Sequence, residues 1–382
     1  MQYTMFKTTD YVSGNGSIGK LAEYKDKKLA FVVDTQIIKA LNLEKKLFKN
    51  ILEGAEYKII CNMPTEPHMY MLKEPIQEIR EFAPDVIVAI GGGSVMDTAK
   101  ALWLFYELPE YDWTKATQAY EVEPFPGKAI LIAIPTTSGT GSETTGCAVV
   151  KDDEKRKQMI LTNEIIPNLA IMDFDLLKSL PPGNIAYSGT DALAHALEAG
   201  VSMLASTMVR MQCIQAAVTL IKELPKSIQG DKQAREKVHI AATMAGAGIN
   251  NSITGMAHGM DQAGGDFSKP HGLMTGLLLP YTMEYLIPQP VYEEVADQLG
   301  ITGTSLEKQH KLTDRIRKMY DMVGMPAALK DTGIPEQEYL DRIPSYVMMA
   351  LSDSNILFAP KDPTAEELQN LYKLFYYGHK GE

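Results

Sequence analysis

The sequence predicts a two-part chain: an α/β half built on a parallel sheet, then an all-α half. Apolar runs at KKLAFVVD (27–34), YKIICNM (57–63), DVIVAIGGGS (85–94) and KAILIAIP (128–135) alternate with segments of helical periodicity. They are continuously apolar, as in strands of a parallel sheet covered on both faces. From about residue 179 the strand signal fades and helical periodicity alone remains. At 382 residues the chain exceeds what one core serves. We divide it into 1–178 and 179–382, near the Pro181-Pro182-Gly183 break.

In chain order, TQIIKALNLEKKLFKNILEG (35–54) predicts a helix closed by Gly54. PTEPHMYMLKEPIQEIREFAP reads as a loop and a helix, and VMDTAKALWLFYE (95–107) as another helix. KAILIAIPTTSGTGSE repeats the pattern of a strand running into small residues. The second half reads as helices at 189–202, 204–223, 232–249, 273–286, 306–323 and 337–351. In the last helix Thr364 and Glu367 have capping-box spacing, and Gly378 follows LQNLYKLFYY as a stop.

Composition narrows the class. Asp and Glu number 48 against 37 Lys and Arg, a formal charge of −11, with no basic cluster, which argues against nucleic acid and anionic membranes as partners. No apolar run approaches the ~20 residues of a membrane span. Cys61, Cys147 and Cys213 are odd in number and form no CxxC pair, which fits a reducing compartment. The first residues, MQYTMFKTTDYVSGNGS, contain no basic segment followed by an apolar one, so a cytoplasmic protein is expected.

Two turns carry nucleotide-binding chemistry. At GGGSVMDTAK the glycines allow close approach of backbone to a ligand, and the following helix presents unpaired N–H groups and its positive dipole end. A pyrophosphate fits there; the plainer alternative is a turn in which Ser94 caps the helix and Asp97 caps back. The pattern is not GxGxxG. PTTSGTGSE offers Thr136, Thr137, Ser138, Thr140 and Ser142 as hydroxyl donors, or is merely a polar loop. Asp34 ends the first strand where an acid accepts from an adenosine ribose and repels a 2′-phosphate, which favours NAD over NADP.

Metal chemistry is concentrated in GTDALAHALEAG (189–200) and NSITGMAHGMDQAGGDFSKPHG (251–272). Asp191 and His195 stand four apart, on one face of a helix. His258 and His271 flank a Gly-Gly bend, and glycines 259, 264, 265 and 272 suggest backbone held close to something. Of the seven histidines, His68, His239, His310 and His379 lie in charged or ordinary surroundings. One carboxylate and three neutral imidazoles suit Zn²⁺, Fe²⁺ or another first-row divalent ion and leave about one positive charge to stabilise an alkoxide or polarise a carbonyl.

GGGSVMDTAK, PTTSGTGSE, the GTDALAHALEA helix and the HG…PHG pair, in this order, resemble the iron-containing, group III alcohol dehydrogenases. The resemblance implies a Rossmann-like NAD-binding domain, a helical domain and a cleft between them, in the architecture shared with dehydroquinate synthase. It implies Asp191, His195, His258 and His271 as metal ligands and as the catalytic set. It also implies Gly92, Gly93 and Ser94 on the pyrophosphate, Asp97 beside the cofactor, Thr136, Thr137 and Ser142 along its path, Lys157 on the ribose, and Asp34 as the acid of NAD users. Gln262, preceded by Asp261, replaces a histidine that many members carry four residues after the third ligand, so another proton route is required. The expectation is reversible hydride transfer between NAD(H) and a short aldehyde or its primary alcohol, acting as an aldehyde reductase, with a sulfonated or carboxylated aldehyde as a variant. A homo-oligomer, dimer or larger, is expected from the family alone. The competing readings are an NAD- and metal-dependent lyase of the dehydroquinate synthase type and a non-catalytic nucleotide sensor.

Overall fold

The computed structural model describes residues 5–154 and 156–378; His379 lies outside them. Its first unit contains strands β1 (Asp10–Ser13), β2 (Leu29–Val33), β3 (Tyr57–Asn62), β4 (Val86–Gly91), β5 (Ile130–Pro135), β6 (Cys147–Lys151), β7 (Lys157–Leu161) and β8 (Leu169–Met172). Its helices are α1 (Thr35–Ala40), α2 (Lys73–Phe82), α3 (Gly93–Glu107) and α4 (Trp113–Ala116). Six strands form one parallel sheet in the order β1-β8-β5-β4-β2-β3. β6 and β7 pair antiparallel in a separate ribbon.

The apolar runs explain the sheet. Along β2, β4 and β5, successive side chains point to opposite faces, and both faces are buried. Ala30, Val32, Ile87, Ala89, Leu131 and Ala133 pack into one core with Leu102 of α3 and Ile79 of α2. Phe31, Val33, Val88, Ile90, Ile132 and Ile134 pack into the other with Ile38 of α1. The two glycine- and hydroxyl-rich turns expected to bind nucleotide sit at the C-terminal ends of central strands β4 and β5, where α/β sheets bind ligands.

Two local differences from the sequence reading have physical causes. The segment 35–54 is not one helix: Asn42 takes a left-handed φ of 52°, ending α1, and Glu44–Ile51 is wound as a π-helix. The short strands β1 and β7 escaped detection because exposed or polar residues interrupt them, and β6 and β8 because runs of 5 and 4 residues are too short to show a period.

The second unit takes in Ser138–Thr140 and the chain from Pro181 onward. Its helices are α5 (Pro182–Val201), α6 (Thr207–Ile228), α7 (Lys232–Asn250), α8 (Met256–Gly259), α9 (Gln262–Asp266), α10 (His271–Leu286), α11 (Pro290–Gln298), α12 (Ser305–Val323), α13 (Glu336–Leu351), α14 (Ser354–Leu357) and α15 (Ala365–Tyr377). α5 starts at Pro182 rather than Gly189, because proline is suited to a first helical position. It packs against α6, α7 and α10. No described helix is long and apolar enough to cross a membrane.

Candidate functional site

The helical unit gathers the four candidate metal ligands. Asp191 and His195 face the same way from the middle of α5, where nearly every neighbour is buried. His258 comes from the single turn α8, and His271 is the first residue of α10. Asp191 Oδ1 lies 3.9 Å from His195 Nε2, 3.6 Å from His258 Nε2 and 3.7 Å from His271 Nε2. Ligand atoms of Asp191, His195 and His258 all fall within 4.8 Å of one another; His271, with 37% of its side chain exposed, joins from the open side.

Close packing makes this convergence possible. A Cβ on Gly272 would collide with the carbonyl oxygen of Tyr187 and come within 3.0 Å of Asp191 Cβ. A Cβ on Gly276, one turn later, would come within 2.5 Å of Thr190 Oγ1. Bare backbone at these positions lets α10 lie directly on α5. Gly259 and Gly264 are likewise filled by neighbours, whereas Gly265 faces open space.

Further polar groups orient the candidate ligands. Thr275 Oγ1 donates to Asp191 Oδ1 at 2.8 Å. His258 Nδ1 lies 2.5 Å from Glu198 Oε2, and the other oxygen of Glu198 accepts from the Ala257 N–H. His271 Nδ1 lies 2.5 Å from Asp261 Oδ2. Glu198 and Thr275 were missed by the sequence reading. Glu198 stands seven residues after Asp191 and three after His195, a spacing that places all three on one helix face.

Electrostatics fit a cation. Burial would raise the Asp191 carboxyl, but His195, His271 and His258 outweigh it and hold the group below the usual carboxylate range. Burial drives His195 down to about 4 against the pull of Asp191, so it stays neutral, as a ligand must. Burial also opposes charge on His258, yet Glu198 and Asp191 push it up to about 10, so a metal binding there would displace a proton. His258 Nε2 is buried without a hydrogen-bond partner while facing Asp191. An orphaned ring nitrogen within an O/N donor set fits a divalent first-row ion.

The α/β unit holds the candidate nucleotide residues. Gly92 precedes α3 as its N-cap, without a side-chain cap, and Gly92, Gly93 and Ser94 are partly exposed. The alternative in which Ser94 and Asp97 cap the helix is not what forms. Asp97 instead accepts from Ser142 Oγ at 3.0 Å and from the Val149 N–H at 3.1 Å. Thr137 packs on Gly92, leaving 3.2 Å between its Cγ2 and a Cβ placed there, and Thr136 Oγ1 is buried without a hydrogen-bond partner. Asp34 caps α1, accepting from the Gln36 N–H at 2.8 Å. Lys157 begins β7 with its side chain exposed.

The sequence reading also missed Lys100, which is fully buried. Its Nζ donates to Ser142 Oγ at 2.8 Å, Thr145 Oγ1 at 3.0 Å and the Cys147 carbonyl at 2.8 Å. Burial lowers its pKa, and Asp97 opposes the shift. Lys100 thus ties Ser142 to α3, on the helix that starts at the glycine turn.

An anion-receptive helix start in a doubly covered parallel sheet, and an O/N ligand set in a helical unit, define the metal-dependent dehydrogenase class. The chain belongs to the iron-containing alcohol dehydrogenase family. The model of iron-containing alcohol dehydrogenases matches residues 8–174, and that of the family's C-terminal region matches 185–376. The chain is 32% identical to an NADPH-dependent butanol dehydrogenase of Clostridium saccharobutylicum, covering 99% of this chain and 98% of that one. It is 36% identical to an alcohol dehydrogenase of Thermococcus barophilus over 85% of each chain. Its fold matches an iron-containing alcohol dehydrogenase of Thermococcus thioreducens with a TM-score of 0.88 at 33% identity, covering 98% of this chain and 100% of that one. The protein is an enzyme, an oxidoreductase of the alcohol dehydrogenase type.

Proposed function

We propose that this enzyme reduces a short aliphatic aldehyde to its primary alcohol with NADH, reversibly, at a centre formed by Asp191, His195, His258 and His271. The observation that carries the proposal is the convergence of three imidazole nitrogens on one oxygen of a buried carboxylate, each within 3.9 Å. A divalent ion held there would supply Lewis-acid polarisation of the carbonyl. NADH bound at the glycine turn would supply the hydride, and a proton from solvent would complete the alcohol.

The chain's own residues divide the remaining work. Gly92, Gly93 and Ser94 offer backbone N–H groups to the pyrophosphate, while Asp97 and Ser142 are braced beside them by Lys100. Thr136, Thr137 and Lys157 complete the nucleotide set. Asp34 favours NAD over NADP by repelling a 2′-phosphate, the reverse of what the name of the Clostridium relative states for that protein. Gln262 moves no proton: its Nε2 donates to the Gly259 carbonyl at 2.6 Å and its Oε1 accepts from the Tyr372 hydroxyl at 2.6 Å. The proton arrives through water, on the side where His271 is exposed.

An uncharged substrate is favoured over a sulfonated or carboxylated one. Lys269 donates to the Thr332 carbonyl, and Arg342 pairs with Asp266, so the cations on and beside the ligand loop are already engaged.

The test is anaerobic purification, elemental analysis, and NADH oxidation against short neutral and anionic aldehydes before and after chelation. Bound metal with chelator-sensitive turnover of the neutral aldehydes, and a higher kcat/KM with NADH than with NADPH, is the expected result. His271→Ala should abolish turnover while leaving circular dichroism and NADH binding intact. Full activity in a folded, metal-free variant would refute the proposal.

A further inference from the structure

Among the three imidazoles, His271 is the least constrained by its own surroundings. It is the first residue of α10, preceded by Pro270, which provides no side-chain cap, and its side chain is 37% exposed against 6% for His195 and 8% for His258. Its Nε2 nevertheless points at Asp191 Oδ1. Its other ring nitrogen, Nδ1, lies 2.5 Å from Oδ2 of Asp261.

Asp261 is only 5% exposed, an unusual position for a carboxylate in a loop of small residues. Space has been kept for it: a Cβ on Gly264 would come within 2.5 Å of Asp261 Oδ1 and within 3.4 Å of its Cγ. The loop is also fastened on both sides of Asp261. Its N–H donates to the His258 carbonyl at 3.4 Å, and the next residue, Gln262, is held by Gly259 and Tyr372.

We propose that Asp261 is a positioning residue of the metal centre, fixing the tautomer and orientation of His271 through its carboxylate. The inference rests on the metal-centre reading above. The 2.5 Å contact places the Asp261 carboxylate to accept from Nδ1–H, the arrangement that leaves the Nε2 lone pair directed at the ligand set. The same carboxylate increases the ring's donor strength, as outer partners of metal-bound histidines commonly do. Glu198 stands in the same relation to His258, so two of the three imidazoles are backed by an acid, and the more exposed one depends on Asp261.

Two measurements test this. In the Zn²⁺-loaded parent protein, ¹⁵N NMR of the imidazole rings should report a protonated Nδ1 and a metal-bound Nε2 for His271; metal on Nδ1 would overturn the proposal without recourse to any variant. In chelator competition, Asp261→Asn and Asp261→Ala should bind Zn²⁺ or Fe²⁺ roughly 10- to 100-fold more weakly than the parent, with unchanged far-ultraviolet circular dichroism. Asp261→Glu should recover part of the loss. Gly264→Ala, which keeps the charge but displaces the carboxylate, should weaken metal in the same direction. Affinity within twofold of the parent in folded Asp261→Asn and Asp261→Ala would sink the positioning role while leaving the metal centre standing. A parent that binds no metal at all would remove both.

Discussion

Lys100 shows how much one side chain can constrain a binding turn. It brings an ammonium group into a buried position in the α/β unit and satisfies it with two hydroxyls and a carbonyl. Replacing it by Met leaves Asp97 without its counter-charge and removes one hydrogen bond each from Ser142, Thr145 and the Cys147 carbonyl. Removal of one partner from such a network costs about 3–5 kcal/mol when the remaining charge is fully buried, and Asp97 is partly exposed, so we expect about 2–3 kcal/mol in urea unfolding of Lys100→Met. The KM for NADH should rise with it. Residues of this kind were only half legible. Asp191 and His195 are readable because spacing of four places two side chains on one helix face. Lys100 follows Asp97 at the related spacing of three, but a lysine in VMDTAKALWLF reads as a surface residue until β6 is seen to pack over it.

Helices carry the site through their close approaches and their ends. The contact of α10 with α5 depends on Gly272 and Gly276, and Gly272→Ala places a methyl group against the Tyr187 carbonyl. Overpacking of this kind costs roughly 1–3 kcal/mol. It should also shift His271 away from Asp191, so weaker metal binding by chelator competition is expected together with a lower Tm. At the far end of the chain α15 is closed by a reciprocal cap between Thr364 and Glu367, a device visible in the sequence from spacing alone. Thr364→Ala should cost about 1 kcal/mol. Glu367 is held down to about 2, first by the Thr364 backbone N–H and then by Lys361. A depressed carboxyl stabilises the fold above its unfolded pKa and loses that contribution as pH falls through the folded one. The stability difference between the parent and Glu367→Gln should therefore be complete at pH 6 and shrink between about pH 4.5 and pH 2 in acid titration. The ribbon β6–β7 and the strands β1 and β8 were not legible: polar residues break the pattern of β1 and β7, β6 and β8 are too short to show one, and β1 finds its partner β8 far along the chain.

For the molecule as a whole, the division into a parallel-sheet part and a helical part was legible because burial on both sheet faces forces unbroken apolar strands, and burial of helices forces a 3.6-residue period. The loop between His258 and His271 was less so, since its function depends on which atoms Asp261 and Gln262 meet, and no local pattern encodes that. The three thiols also belong to this scale. Burial pushes Cys61 up to about 11, and Cys147 and Cys213 up to about 12, so none is a thiolate near neutral pH. Ellman's reagent should find almost no reactive thiol in the native protein and three after unfolding in guanidinium. The wild-type chain is accordingly a quiet background for spectroscopy: a single cysteine introduced at an exposed position could be tagged with a fluorophore or spin label without first removing the native ones.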